Sequence, residues 1–137
     1  MLNPFPELLA FGLGSYFLVP AILRITIATV FVYLALTHFK NKRVVASEFT
    51  MLSHEMAIWA VGVAILAEFA VAALLFVGAF TQIVAIVALV GCIKALILKK
   101  KFSSLYPLSA LAYTLVGVIA LSLLFTGAGA FAFDLPL

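Results

Sequence analysis

Four long apolar stretches, separated by short connections, constrain this chain more than any other feature. They run over about 20–39, 56–77, 79–98 and 106–126, and each is close to the roughly 20 apolar residues that a helix needs to cross a bilayer. The chain is 67% hydrophobic and 9% charged, whereas soluble domains are about 45–50% apolar and about 25% charged. The sequence therefore predicts an all-α integral membrane four-helix bundle, with 1–137 as one transmembrane domain.

A shorter apolar segment, 8–18, precedes the first span and lies between Pro6 and Pro20. Apolar stretches of about 10–14 residues are more often interfacial than spanning. We therefore expect a short N-terminal interfacial helix, joined to the first span at a break at Pro20, because proline suits the first turn of a helix. Gly78 is expected to mark a tight turn between the second and third spans.

Basic residues at the span ends are confined to one side of the predicted bundle. Six lysine and arginine residues lie in the two loops 40–55 and 99–105, while the other side carries Glu7 and Asp134 and no lysine. The positive-inside rule then places both loops in the cytoplasm and both termini outside. The expected partner is the lipid bilayer and not nucleic acid, because short apolar spans offer no exposed basic face for a duplex.

Small residues recur at helical spacing along the spans, and such residues let membrane helices approach closely. The seam of the second span comprises Ala60, Ala64, Glu68 and Ala72, and that of the third comprises Thr81, Ala85, Ala88, Cys92 and Ala95. We expect these faces to be buried between helices.

The first span has two distinct faces, of which only one can pack on its own bundle. One face carries Arg24, Ala28, Phe31, Ala35 and His38, and the nearly opposite face carries Thr26, Thr29, Tyr33 and Thr37. The second face would contact a second copy or line a small cavity, unless its threonines simply bond their own backbone one turn back. The phenol of Tyr33, if buried, needs a hydrogen-bond partner.

Charged and polar groups at membrane depth provide the candidate polar intramembrane site, which comprises Arg24, Glu68 and Tyr33. Charges at such depth are costly, usually face the bundle interior and tend to pair. We expect Arg24 and Glu68 to interact directly or through one water, either as a structural ion pair or as the contact for a quinone headgroup, a proton or a solute. Lys94, near the end of the third span, is interpreted as reaching the lipid headgroups.

No catalytic or metal site is predicted. Nucleophile, zinc-protease, P-loop and dinucleotide motifs are absent from the sequence, and the single cysteine, Cys92, excludes an internal disulfide or a CxxC pair. Four polar residues that the loops bring towards one surface match no metal-ligand spacing: His38, Glu48, His54 and Glu55. Whether the chain is an enzyme stays open, and any redox role requires an electron carrier from elsewhere.

Three stretches taken together resemble the DoxX family of small four-helix membrane proteins. They are LRITIATVFVYLALTHF at 23–39, LAEFAVAALLFVGAFTQIVAIVALV at 66–90 and GAGAFAFDLPL at 127–137. By motif position Arg24, Glu68 and Asp134 match the family's polar landmarks. The resemblance covers most of the chain and implies a four-helix membrane bundle.

The family takes its name from a subunit of a membrane oxidase system linked to thiosulfate and quinone. The resemblance therefore implies a subunit or accessory of a quinone-coupled membrane redox system, with a bound quinone as cofactor and a redox partner protein or a homodimer as the assembly. Two alternatives stay open, namely a carrier or channel for a small solute or lipid-like molecule, and a membrane scaffold without chemistry of its own.

Overall fold

The computed structural model describes residues 15–103 and 105–126, and this part of the chain folds into five helices. They are α1 (Ser15–Lys40), α2 (Lys42–Ser47), α3 (His54–Val77), α4 (Thr81–Leu98) and α5 (Ala110–Thr126). The predicted all-α fold class is confirmed. Residues 1–14, which include most of the predicted interfacial segment, and Asp134 lie outside the described residues.

Three helices are long and apolar enough to cross a membrane, namely α3, α4 and the part of α1 at Val19–Lys40. The fourth apolar helix, α5, has 17 residues, which at 1.5 Å per residue is roughly 25 Å long. This set of apolar helices, together with the composition, makes the chain an integral, multi-pass membrane protein.

The start of the first span differs from the prediction. No helix break occurs at Pro20, because α1 begins at Ser15 and continues through this proline. Proline in a helix lacks the N–H that would bond the carbonyl four residues earlier, and inside a long helix this is disruptive. The described part of α1 nevertheless continues on both sides of Pro20, with this one hydrogen bond missing.

The start of the fourth span also differs, because α5 begins at Ala110 and not near position 106. The hydroxyl of Ser109 accepts a hydrogen bond from the backbone N–H of Ala112, at 3.1 Å. Serine in this role caps the first turn of a helix. The preceding residues, including Tyr106, are therefore free to form an irregular connection, and this connection contributes to the site described below.

The tight turn predicted at Gly78 is confirmed. This residue ends α3 in a left-handed conformation, with φ 75°, and its N–H bonds the carbonyl of Leu74 at 2.8 Å. Glycine adopts positive φ without the steric cost that a side chain imposes. The turn places α4 antiparallel to α3, so the two basic loops lie at the same end of the bundle, called the basic end below.

The helices associate as two closely packed pairs. Helix α1 packs along α3 and helix α4 along α5, α1 also touches α5, and contacts between α3 and α4 are few. The predicted seam of α4 is fully confirmed, since all five of its residues are buried. The seam of α3 is buried only at Ala72, whereas Ala60 is exposed, because α3 and α4 leave a space between them.

Candidate functional site at the His38–Glu68 pair

The side chain of Glu68 on α3 meets the ring of His38 on α1. Glu68 Oε2 lies 2.8 Å from His38 Nδ1, and the two side chains are 20% and 4% exposed respectively. His38 is therefore almost wholly enclosed, while the side chain of Glu68 is partly exposed. The other carboxyl oxygen, Oε1, makes no hydrogen bond with the residues that the structure describes.

The second ring nitrogen of His38 fixes the proton count of this pair. Nε2 lies 2.7 Å from the backbone carbonyl oxygen of Leu105, which can only accept, so Nε2 carries a hydrogen and donates it. One further proton then occupies the contact between Nδ1 and the Glu68 carboxyl group. The pair is either imidazolium with carboxylate or neutral imidazole with carboxylic acid, and its net charge is zero in both states.

The connection between α4 and α5 supplies the Leu105 carbonyl, and Lys99 holds this connection in place. Lys99 Nζ donates to the backbone carbonyl of Tyr106 at 2.9 Å and also to that of Leu108. The same ammonium lies 5.9 Å from the centre of the Tyr113 ring, a distance at which cation–π attraction operates. Lys99 therefore anchors the segment that orients His38.

Two tyrosines stand beside the pair. The rings of Tyr106 and Tyr113 meet edge to face, with their centroids 6.1 Å apart, which is a favourable aromatic geometry. Burial, and secondarily the nearby charge of Glu68, raises the pKa of the Tyr106 phenol. This phenol is therefore a neutral hydroxyl at physiological pH and adds a hydrogen-bonding group next to Glu68.

A cavity of about 470 Å³ lies between α3 and α4, with Glu68, His38 and Tyr106 in its wall. Most of its other lining residues are apolar. Small or short side chains provide the space on the two facing helices: Ala60, Ala64, Ala67 and Val71 on α3, and Val87, Gly91 and Ala95 on α4. Several of them are exposed, so the cavity opens to the outer surface of the bundle, which in a membrane faces lipid.

A pair of stacked aromatic rings lines the cavity near the basic loops. Phe49, from the loop between α2 and α3, stacks on Phe102, from the connection between α4 and α5, with ring centroids 5.5 Å apart. Both rings line the cavity. The aromatic stack therefore forms part of the cavity wall that is contributed by the two loops.

The predicted contact between Arg24 and Glu68 is wrong. Arg24 is buried, at 3% exposed, but it precedes His38 by about four turns of α1, roughly 21 Å along the helix axis. An arginine side chain does not bridge that distance to a carboxyl group held at His38. Only Glu68, of the three predicted site residues, lines the cavity.

Tyr33 and the threonines lie on the exposed face of α1. Tyr33 is 55% exposed and lies outside the cavity wall. The hydroxyls of Thr26, Thr29 and Thr37 donate to backbone carbonyls one turn earlier, at 2.8–2.9 Å. The simpler interpretation of these threonines, that each bonds its own helix, is confirmed.

His38 is the member of the pair that reasoning from charge missed. The helical periodicity placed His38 on the same face of α1 as Arg24, Ala28 and Ala35, all of which are buried. Its contact with Glu68, however, depends on how α1 and α3 are aligned.

Among the described residues, no group of three histidine, cysteine, aspartate or glutamate side chains is arranged to hold a metal ion.

The family model described as DoxX matches residues 19–100, a segment that contains most of α1, all of α2 to α4 and both members of the pair. Searches of curated proteins and of solved structures gave no match. Because the matched segment covers more than half of the sequence, this chain belongs to the DoxX family.

Proposed function

We propose that this protein binds the ring of a membrane quinone in the cavity between α3 and α4, as a subunit or accessory of a quinone-coupled membrane redox system. The observation that carries the proposal is the hydrogen-bonded pair of His38 and Glu68 in the wall of an otherwise largely apolar cavity. Apolar pockets with a few convergent polar groups are typical sites for small ligands.

The size and the surroundings of the cavity support a ligand of this class. Its volume of about 470 Å³ falls within the range of roughly 300–1,000 Å³ found for small-molecule sites. A quinone has a flat ring with carbonyl oxygens and a long apolar tail. The ring would occupy the space beside Glu68, while the tail would leave between α3 and α4 into the bilayer.

The pair offers the proton that quinone chemistry needs. Reduction of a quinone to a quinol takes two electrons and two protons. The proton shared by His38 and Glu68 lies in the cavity wall, and Glu68 Oε1 is available for a ligand oxygen. In the proposed role the pair transfers one proton to that oxygen and is reprotonated afterwards, the second proton comes from water, and a partner protein carrying a flavin, haem or iron–sulfur centre supplies both electrons.

The experiment is to purify the protein from its own membrane in native lipid particles and to extract the lipids for mass spectrometry. The wild type should carry quinone well above its level in the surrounding membrane. The double variant His38→Leu with Glu68→Leu, in which both polar partners become apolar together, should fall to the membrane level. Thr29→Val is the matched control, because this hydroxyl bonds only its own helix.

Equal quinone content in the wild type and the double variant would overturn the proposal. Optical spectra of the same particles report whether a flavin, haem or iron–sulfur partner is retained. Enrichment of a different lipid, lost in the double variant, would instead favour the carrier function, which the opening of the cavity to the bundle surface also supports.

A further inference from the structure

Lys94 contributes a positive charge to the cavity that the quinone proposal does not use. This residue lies on α4 about one turn before Leu98, is exposed, and lines the cavity. No carboxylate pairs with its ammonium group among residues 15–103 and 105–126. The cost of a charge near a membrane interior is usually offset by a partner or by contact with the headgroup layer.

The charges around the cavity leave Lys94 uncompensated. The pair of His38 and Glu68 has no net charge, as its two hydrogen bonds require. The remaining lining residues with ionisable side chains, Cys92, Tyr106 and Tyr113, are uncharged in their ordinary states at neutral pH. The described wall of the cavity therefore has a net charge of about +1.

Lys94 and Glu68 lie at similar distances along their helices from the turn at Gly78, so the Lys94 ammonium group can contact a ligand that also contacts Glu68. Measured from the turn at Gly78, Glu68 lies roughly 14 Å along α3 and Lys94 roughly 20 Å along α4, at 1.5 Å per residue. The offset is about one helical turn, and the flexible four-carbon stem of lysine can direct its charge along the helix by that much. A ring beside Glu68 thus lies within reach of both groups from opposite walls.

We infer that Lys94 is a specificity-determining residue that makes this cavity prefer a ring ligand bearing one negative charge over its neutral counterpart. The inference rests on the proposed function, because it assumes a quinone-like ring beside Glu68. A deprotonated ring oxygen facing Lys94 forms a charge-assisted hydrogen bond, which is stronger than a neutral one. The neutral pair on the opposite wall then contacts the second ring oxygen without repelling the anion.

Two probes of nearly the same shape test the charge preference. They are 2-hydroxy-1,4-naphthoquinone, which is an anion at neutral pH, and 2-methyl-1,4-naphthoquinone, which is neutral. Binding of each is measured by equilibrium dialysis against protein in lipid nanodiscs, with empty nanodiscs of the same lipid subtracted. The variants are Lys94→Met and, as a control that removes one charge at the basic end, Lys100→Met.

The wild type should bind the hydroxy probe about tenfold more tightly than the methyl probe, as one charge-assisted hydrogen bond implies. Lys94→Met should abolish this difference by weakening the hydroxy probe alone, and Lys100→Met should preserve it. This inference fails, and the proposed function stands, if the methyl probe binds and the hydroxy probe binds no more tightly than it does. The same holds if both probes bind and Lys94→Met changes the affinity of neither probe. If neither probe binds, both fail.

Discussion

Replacing His38 with leucine should destabilise the protein far more than replacing Glu68 with glutamine. His38→Leu removes the hydrogen bond to the Glu68 carboxyl group, worth about 1.5–3 kcal/mol in the imidazolium–carboxylate state, and one to the Leu105 carbonyl, worth about 1 kcal/mol. Breaking a fully buried pair costs about 3–5 kcal/mol, but the Glu68 side chain is 20% exposed and can rehydrate in the cavity. We therefore expect a loss of about 2–4 kcal/mol in the free energy of unfolding.

Glu68→Gln keeps the contact in a neutral form. The amide N–H of glutamine can donate to His38 Nδ1 while Nε2 continues to donate to Leu105, so the expected loss is about 1 kcal/mol or less. The two variants differ in their expected loss of stability because the hydrogen on Nε2 leaves Nδ1 free to accept from glutamine. If only the charge of Glu68 mattered, Glu68→Gln would cost as much as His38→Leu.

The assay measures reversible unfolding in mixed detergent micelles, monitored by circular dichroism. It is applied to the wild type, to His38→Leu, to Glu68→Leu and to the double variant, which together form a double-mutant cycle. The coupling energy should be about 1.5–3 kcal/mol, since the cycle isolates the hydrogen bond between the two side chains. Thr29→Val, on the exposed face of α1, should change the free energy of unfolding by less than about 0.5 kcal/mol. A coupling energy below about 0.5 kcal/mol would refute the pairing, because additive effects of that size mark independent sites.

Lys99→Met should cost about 1.5–3 kcal/mol, because the ammonium donates to two backbone carbonyls, whereas Lys100→Met should stay within about 0.5 kcal/mol in the same unfolding assay; equal losses would contradict the anchoring role. Since the pKa of Tyr106 is raised in the folded state, its contribution is present below the unfolded pKa of about 10 and is lost as the pH rises through the folded value. Tyr106→Phe should therefore reduce the fall in stability above about pH 10, and an unchanged alkaline profile would contradict this. Lys42→Cys in a cysteine-free background should resist an impermeant maleimide added outside intact cells, and labelling there would reverse the predicted sidedness. The exposed face of α1 around Tyr33 predicts a homodimer or a partner complex, so native mass spectrometry should show a species above 14.7 kDa, and a monomer in both mild detergent and nanodiscs would count against it.

Helix identity and one packing face could be predicted because they depend on local sequence. The lengths of the apolar stretches predicted the helices α3 and α4. The regular spacing of small residues predicted the buried face of α4, from Thr81 to Ala95. Gly78 marked its turn because few other residues adopt positive φ. Periodicity also separated the two faces of α1, and the buried one contains His38.

The site could not be predicted because it depends on how helices are aligned and on an irregular connection. Charge alone suggested that Arg24 would pair with Glu68, but the alignment of α1 against α3 brings His38 to that carboxyl group instead. Leu105 contributes through its backbone carbonyl. Because every residue has such a carbonyl, its role cannot be predicted from the residue type. The cavity arises because α3 and α4 diverge on faces whose small residues suggested close packing.

Photochemical labelling tests most directly whether a quinone ring occupies the cavity beside Glu68. A naphthoquinone with a diazirine group on its ring is irradiated with the wild-type protein in nanodiscs, and the labelled residues are located by peptide mass spectrometry. We predict labelling within 64–71 and 91–95, suppressed by excess 2-methyl-1,4-naphthoquinone and absent from the double variant His38→Leu with Glu68→Leu. Labelling that the competitor leaves unchanged, or that falls only on the exposed face of α1 around Tyr33, would contradict a quinone site at this pair.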